Sequence, residues 1–455
     1  EPLEGNFDGI GISFNMMADT LYVIETISGG PSEKVGILAG DRIVSVNDTT
    51  IAGVKMTTKN IMSRLRGPKG TIVNVEVKRR GVPKLLNFKI TRAKIPIFSI
   101  DAAYMVDNTT AYIRLSRFGA TTTQEFQDAC KKLQKQGMAN LILDLEGNGG
   151  GYLSAAIDLA DEFLSKDKLI VYTEGKHQPK QDVESTGKGL FEQGKLAILI
   201  SEGSASASEV LSGAVQDWDR GLIIGRRSFG KGLVQRQIPL QDGAMLRLTV
   251  ARYHTPTGRS IQRPYTNGDS QSYHMDVVER YNKGEMMSAD SIHFPDSLKY
   301  QTLVNKRTVY AGGGIMPDYF VPIDTTHYSN YFYNLRAKGL INKVALNEVD
   351  NHRKDILKKY PKVESFRDSY IVSEKIFDEL KSEAETEKVE FKEEEYNRSK
   401  ELIGMQIKAL MARDLYDMEG FFKIINNDNE IFQKALEIIQ NDERYNNLLK
   451  GNKES

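Results

Sequence analysis

Ser204-Ala205-Ser206-Ala207-Ser208-Glu209, followed by Phe229-Gly230-Lys231-Gly232-Leu233-Val234-Gln235, decides how this 455-residue chain is read. The first stretch sets three hydroxyls among alanines. It follows the apolar strand Leu196-Ala197-Ile198-Leu199-Ile200 and precedes Val210, Leu211 and Val215. The second sets a lysine between two glycines, beyond another apolar strand, Leu222-Ile223-Ile224-Gly225. A serine becomes a nucleophile only when a base takes its proton. No histidine lies near either stretch, whereas Lys231 follows Ser206 by 25 positions. A lysine serves as a base once apolar neighbours bring its pKa from about 10.4 toward about 7–8. Phe229, Leu233 and Val234 supply such neighbours. Spacing alone leaves Ser204, Ser206 and Ser208 equivalent. All three also read as caps of a helix N-terminus, a place where the dipole favours a nucleophile.

A second pattern lies upstream. Leu141-Ile142-Leu143-Asp144-Leu145 is an apolar run of buried-strand type, and Glu146-Gly147-Asn148-Gly149-Gly150-Gly151 follows it. Tyr152 to Phe163 then reads as a helix. The glycines let backbone N–H groups approach an anion, and they equally suit a tight strand–helix turn.

Taken together, these motifs resemble the C-terminal processing peptidases, or tail-specific proteases, a family of Ser–Lys serine peptidases with a PDZ domain. The resemblance implies Ser206 as nucleophile, Lys231 as base and Gln235 as the residue that orients the lysine. It also implies an oxyanion hole from the N–H groups of Gly150 and Ala207. Two positions depart from the family pattern: Glu146 stands where an arginine is usual, and Gly149 where proline is frequent. Thr255-Pro256-Thr257-Gly258-Arg259-Ser260-Ile261-Gln262 and Gly312-Gly313-Gly314-Ile315-Met316-Pro317-Asp318 match two further family segments. His254 is the histidine nearest these motifs; with no acidic partner in view it reads as structural.

Residues 1–92 read as a separate β-rich module. Phe7 to Phe14 is a glycine-punctuated strand, Leu21 to Ile24 another, and Ile72 to Val77 a third with alternating pattern. Gly30 to Ile43, with Gly40-Asp41-Arg42-Ile43 and the turn Val46-Asn47-Asp48, resembles a PDZ domain. By that resemblance Gly9, Ile10, Gly11 and Ile12 form the loop that captures a chain-terminal carboxylate, and the ligand adds as a strand to the sheet edge. Lys78-Arg79-Arg80 reads as a hairpin-tip surface.

The expected architecture is therefore an α/β multidomain chain: a PDZ domain over 1–92, a crotonase- or ClpP-like αβ peptidase core over 93–325, and an all-helical C-terminal region over 326–455. In the last region, Glu374 to Arg398 is rich in Glu and Lys, and Leu402, Ile403, Ile407, Leu410 and Met411 recur at helical spacing. That stripe fits packing on the core, pairing with another subunit, or docking an adaptor.

Composition narrows the function classes. With 61 basic and 61 acidic residues the net charge is zero, so no bulk field favours nucleic acid. Cys130 is the only cysteine, which excludes an intrachain disulfide; its setting predicts a small buried residue. The six histidines show no paired ligand spacing, and no P-loop or dinucleotide fingerprint occurs, so no metal or other cofactor is expected. No apolar run approaches the roughly 20 residues that span a bilayer. The chain opens at Glu1 without a methionine. The family resemblance implies an extracytoplasmic location, periplasmic or membrane-anchored by a removed N-terminal segment.

These readings predict an ATP-independent serine endopeptidase that recognises unstructured C-terminal tails through its PDZ domain. An adaptor, or self-association, is assigned to the C-terminal helices. The competing expectations are a catalytically silent PDZ adaptor, a protease that needs a partner for activity, and a crotonase-like acyl-CoA enzyme, which would need neither the Ser–Lys–Gln set nor a PDZ module.

Overall fold

The computed structural model describes residues 3–17, 19–265 and 270–452. In chain order the first strands and helices are β1 (Asn6–Gly9), β2 (Ile12–Met17), β3 (Thr20–Thr26), α1 (Pro31–Lys34), β4 (Arg42–Val46), β5 (Thr49–Thr50), α2 (Thr58–Leu65), β6 (Ile72–Lys78), β7 (Leu86–Thr91) and β8 (Ala93–Pro96). The antiparallel order β2-β3-β4-β6-β7 leaves β2 at an edge. Val73, Val75 and Val77 of β6 face the core while Ile72, Asn74 and Lys78 are exposed, the two-residue period of a one-sided sheet. The expected single strand Phe7–Phe14 is broken at Ile10-Gly11, where Gly11 takes a positive φ of 74°. A side chain there would be strained. The module also runs past residue 92, because β8 pairs with β1.

The central segment contains β9 (Ile100–Met105), β10 (Thr110–Leu115), α3 (Thr122–Gln134), β11 (Asn140–Asp144), α4 (Leu153–Asp161), β12 (Leu169–Gly175), β13 (Gln178–Glu184), β14 (Leu196–Ile200), α5 (Ala207–Asp217), β15 (Leu222–Gly225), β16 (Leu233–Pro239), β17 (Met245–His254), α6 (Ser270–Asn282), β18 (Lys299–Gln301), β19 (Thr308–Tyr310) and β20 (Tyr319–Phe320). One sheet runs β20-β15-β14-β11-β10-β9, parallel except for β9. Parallel strands are covered on both faces, which is why β11 and β14 read as continuous apolar runs. Leu141, Leu143, Leu196, Ile198 and Ile223 pack with α3, α4 and α5 on one side. Cys130 is buried there, and burial pushes its thiol up to about 11.

The C-terminal helices are α7 (Asn330–Ala337), α8 (Leu340–Lys359), α9 (Val363–Ser369), α10 (Glu374–Thr386), α11 (Glu393–Leu415), α12 (Met418–Ile425), α13 (Glu430–Gln440) and α14 (Asp442–Leu449). They are helical as expected but do not behave as one region. The chain divides into two compact units: the segment up to Ile97 with Thr326–Ile425, and Phe98–Thr325 with the segment from Asn426.

In the first unit α7 to α12 have their own core and also meet the PDZ module. Asp350 of α8 accepts hydrogen bonds from Tyr22 (3.0 Å) and Arg42 (2.7 Å), and Leu346 packs with Tyr22 and Ile24. The basic run is no plain surface either: Arg79 is bidentate to buried Asp41, and Arg80 reaches the Asp350 carbonyl and Asn351. In the second unit α13 and α14 cover the other sheet face. Phe432 meets Tyr112 edge-on at 5.3 Å, and α13 packs on β11, β14 and β15. The stripe Leu402, Ile403, Ile407, Leu410 and Met411, whose partner the sequence left open, lies on α11 and packs in the helical core of the first unit.

The Tyr445 hydroxyl closes the start of β14, donating to the Leu196 carbonyl and accepting its N–H, both at 3.0 Å. Tyr445→Phe strands both groups. It is expected to lower the stability of this unit by about 1–3 kcal/mol, read as a lower denaturant midpoint with unchanged slope; an unmoved midpoint would contradict the assignment.

Candidate active site

The three serines that spacing could not separate have different surroundings. Ser204 Oγ donates to the Leu145 carbonyl (2.7 Å) and accepts from Ser201 N–H (2.9 Å). Ser208 Oγ donates to the Asn148 carbonyl at 2.8 Å. Both are fully buried. Ser206 is only half-buried, and among the described residues its hydroxyl has no side-chain or backbone acceptor. It sits between β14 and α5 with φ 57° and ψ −111°, a conformation that L-residues rarely adopt. A sharp turn of this kind lifts one side chain clear of the helix while its neighbours stay packed.

Glu209 holds that turn. Its Oε2 accepts Ser206 N–H at 2.8 Å and Lys231 N–H at 2.9 Å, and its Oε1 accepts Gly230 N–H at 2.7 Å and the Ser228 hydroxyl at 2.5 Å. One buried carboxylate thus ties the serine turn to the lysine turn. Burial pushes the Glu209 carboxyl up to about 7, opposed by the Ser228 hydroxyl and the three amides. Sequence reasoning assigned Glu209 no role. The signal was present as a serine followed three residues later by glutamate, the spacing of reciprocal capping at a helix start.

The remaining polar atoms of the lysine turn are also held. Tyr253 donates its hydroxyl to the Lys231 carbonyl and stands 3.1 Å from the Ser206 carbonyl. Gly232 N–H donates to Gln262 Oε1 at 2.8 Å, and Arg263 N–H to the Gly230 carbonyl at 3.0 Å. The Thr255–Gln262 segment therefore forms the wall behind Lys231. Ile315, from the glycine-rich segment at 312–318, exchanges hydrogen bonds with Ser228. Lys231 itself is half-buried, and no carboxylate pairs with its ammonium group among the described residues. Gln235 is exposed on β16 opposite Thr249, hydrogen-bonded to neither Ser206 nor Lys231. His254 stacks on Tyr172 at 4.7 Å, with Nδ1 3.1 Å from the Gly258 carbonyl.

The glycine turn after β11 lies against Ser206. Gly150 has φ 97°, and a Cβ built on it would stand 2.9 Å from Ser206 Cβ and 2.7 Å from the Ala205 carbonyl oxygen. No side chain fits there. Its N–H donates to Asn148 Oδ1 at 2.9 Å, while the Asn148 carbonyl accepts Ala205 N–H (3.0 Å) and Ser208 Oγ. Ala207, at the first position of α5, is buried beside it. Among the described residues no group of three or more His, Cys, Asp and Glu is placed to hold a metal ion.

In the PDZ module a groove of about 550 Å³ runs between β2 and α2, lined by Phe7, Ile12, Phe14, Met62, Leu65 and Arg66 among others. Ile10 and Gly11 also line it. Their carbonyls are held by Ser32 and Ile27, so the loop is pinned, and among the described residues no strand pairs with the outer edge of β2.

Three stretches of the chain match known protein families. Residues 109–271 match peptidase family S41, 9–90 match the PDZ domain, and 331–417 match a family of unknown function. A carboxyl-terminal-processing protease of Synechocystis sp. is 33% identical over 67% of this chain and 69% of its own length. A carboxy-terminal-processing protease of Bartonella bacilliformis is 37% identical over 57% of this chain, and this chain spans only 60% of that relative. The solved photosystem II D1 C-terminal processing protease is 32% identical over 57% of this chain and 70% of that one, with a TM-score of 0.33. The chain belongs to the carboxyl-terminal-processing proteases of peptidase family S41.

Proposed function

We propose that this chain is an ATP-independent serine endopeptidase that captures protein C-terminal tails in its PDZ groove and cleaves them with Ser206 and Lys231. The observation that carries the reading is the half-buried Ser206 turn, whose N–H shares the Glu209 carboxylate with the N–H of Lys231. In this mechanism neutral Lys231 takes the Ser206 proton and the alkoxide attacks the peptide carbonyl. The Ala207 N–H and the turn at Gly150 face the developing oxyanion. Lys231 then protonates the leaving amine, and water, deprotonated by the same lysine, hydrolyses the acyl-enzyme. Gln235 enters as the residue that orients Lys231 once substrate is bound. An extracytoplasmic site of action goes with the family.

At the PDZ groove, the turn Gly9-Ile10-Gly11-Ile12 receives the terminal carboxylate and the free β2 edge receives the tail as an added strand. The apolar lining from Phe14, Met62 and Leu65 selects tails with an apolar last residue. A second reading, a protease that becomes active on engaging a partner or substrate, is favoured by one observation. The hydrogen bonds of Ser206 and Lys231 run to Glu209 and Tyr253 and not to each other, and bonds between catalytic groups often tighten only in the complex.

Ser206→Ala and Lys231→Ala are each expected to abolish cleavage of an unfolded protein followed by mass spectrometry, while Ser204→Ala and Ser208→Ala keep the nucleophile. Amidating the substrate C-terminus should raise KM. Full cleavage by Ser206→Ala would reject the assignment.

Glu209 gives a pH prediction. A protonated carboxyl turns one acceptor into a donor facing an amide, so kcat should fall as pH drops through about 7. The Glu209→Gln variant carries that donor at every pH and should be at least about 100-fold slower throughout, the scale of a lost site geometry. The stability sign is opposite. With the folded pKa raised, the contribution of Glu209 is greatest below its unfolded value and declines as pH rises toward 7.

A further inference from the structure

Glu146, the departure from the family pattern, does not face empty solvent. Its Oε1 accepts a hydrogen bond from Asn429 Nδ2 at 2.8 Å. The Oδ1 of the same asparagine accepts the amides of Ile431 (3.0 Å) and Phe432 (3.1 Å), capping α13. The cap fixes the amide plane, so its donor points one way.

The Glu146 backbone is fixed at both ends. Its N–H donates to Asp144 Oδ1 at 2.8 Å, and its carbonyl accepts from Arg114, which also pairs with Asp144. Asp144 Oδ2 in turn accepts the Tyr112 hydroxyl at 2.6 Å. Loss of water, then Asp144, pushes the Glu146 carboxyl up to about 7, while Asn429, Arg114 and Arg226 act the other way. Beyond Glu146 the chain has little slack: Gly147 N–H donates to Ser201 Oγ at 2.9 Å, and Asn148 is bonded to Ala205, Ser208 and the Leu115 carbonyl. Gly150 follows four residues on, packed so closely that a Cβ there would stand 2.9 Å from Ser206 Cβ.

We propose that Asn429 and Glu146 form a latch by which α13 sets the position of the Gly150 turn against Ser206, making both positioning residues for peptide hydrolysis. The inference rests on the proteolytic reading above. It gives the C-terminal segment a task inside the catalytic unit, distinct from covering the sheet.

The test is a donor–acceptor swap in the full chain, assayed on an unfolded protein with a free C-terminus. Assayed well above pH 7, where the Glu146 carboxyl is ionised, Asn429→Asp keeps the cap oxygen but sets a second carboxylate oxygen against Glu146. It is expected to lower kcat by about 10- to 100-fold, as sub-ångström misplacement does, with KM within about twofold. Adding Glu146→Gln to that variant restores one hydrogen bond with the roles exchanged and should recover most of the loss. Wild-type kcat in Asn429→Asp, or a loss that Glu146→Gln does not relieve, overturns the latch. Amide hydrogen exchange of residues 147–151 reads it without catalysis. Faster exchange in Asn429→Asp that Glu146→Gln slows again supports the latch even if the wild-type chain cleaves nothing, in which case the proteolytic reading alone has failed. Unchanged exchange overturns it.

Discussion

The Glu209 carboxylate is the contact on which the rest of the site depends. Four donors from two chain segments converge on its two oxygens: Ser206 from the serine turn, and Ser228, Gly230 and Lys231 from the lysine turn. A buried carboxylate with fewer partners would be costly, and a buried amide without one nearly so. Each turn therefore satisfies the other through this one group, and neither keeps its conformation alone. The positive φ of Ser206 persists because Glu209, in the first turn of α5, holds its N–H with a carboxylate that the lysine turn also fixes.

The scaffold explains why these turns can be so constrained. Both leave the ends of adjacent parallel strands, β14 and β15, that are buried on two faces. Helices α3 to α5 cover one face, and α13 and α14, more than 200 residues further along the chain, cover the other. A buried salt bridge between Arg259 and Asp217, both without solvent exposure, fixes the end of α5 to the wall behind Lys231. Its value here is in register: Arg259 also bonds Gln216 and the Tyr310 carbonyl, so three segments meet at one guanidinium.

The helices between α7 and α12 stand apart from this arrangement. They share a unit with the PDZ module, and Asp350 gathers Tyr22, Arg42 and Arg80 from it. An uninterrupted run of helical sequence is thus divided between two bodies, with the division near Ile425. Helical periodicity reports that a face is apolar; it carries no information on which partner covers that face. For this reason the single region expected over 326–455 gave no hint of the split, nor did Arg79 and Arg80 announce their acidic partners.

The sequence by itself determined the strands, the helices and the motif spacing. Continuous apolar runs specify doubly covered strands, alternation specifies the PDZ sheet, and glycines mark the turns, because each of these is a local consequence of backbone sterics and burial. It also placed the serine cluster and the lysine at strand ends. Which hydroxyl was left without an acceptor was decided by tertiary structure alone, since Ser204 and Ser208 donate to Leu145 and Asn148, about 60 residues away in the chain and adjacent only once β11 lies beside β14. The same holds for Tyr253 and Asn429, and for the bonds of Glu209 to the lysine turn, whose donors and acceptors meet only in the folded chain. Hydrogen bonds of that kind have no sequence period, and only packing brings their partners within reach.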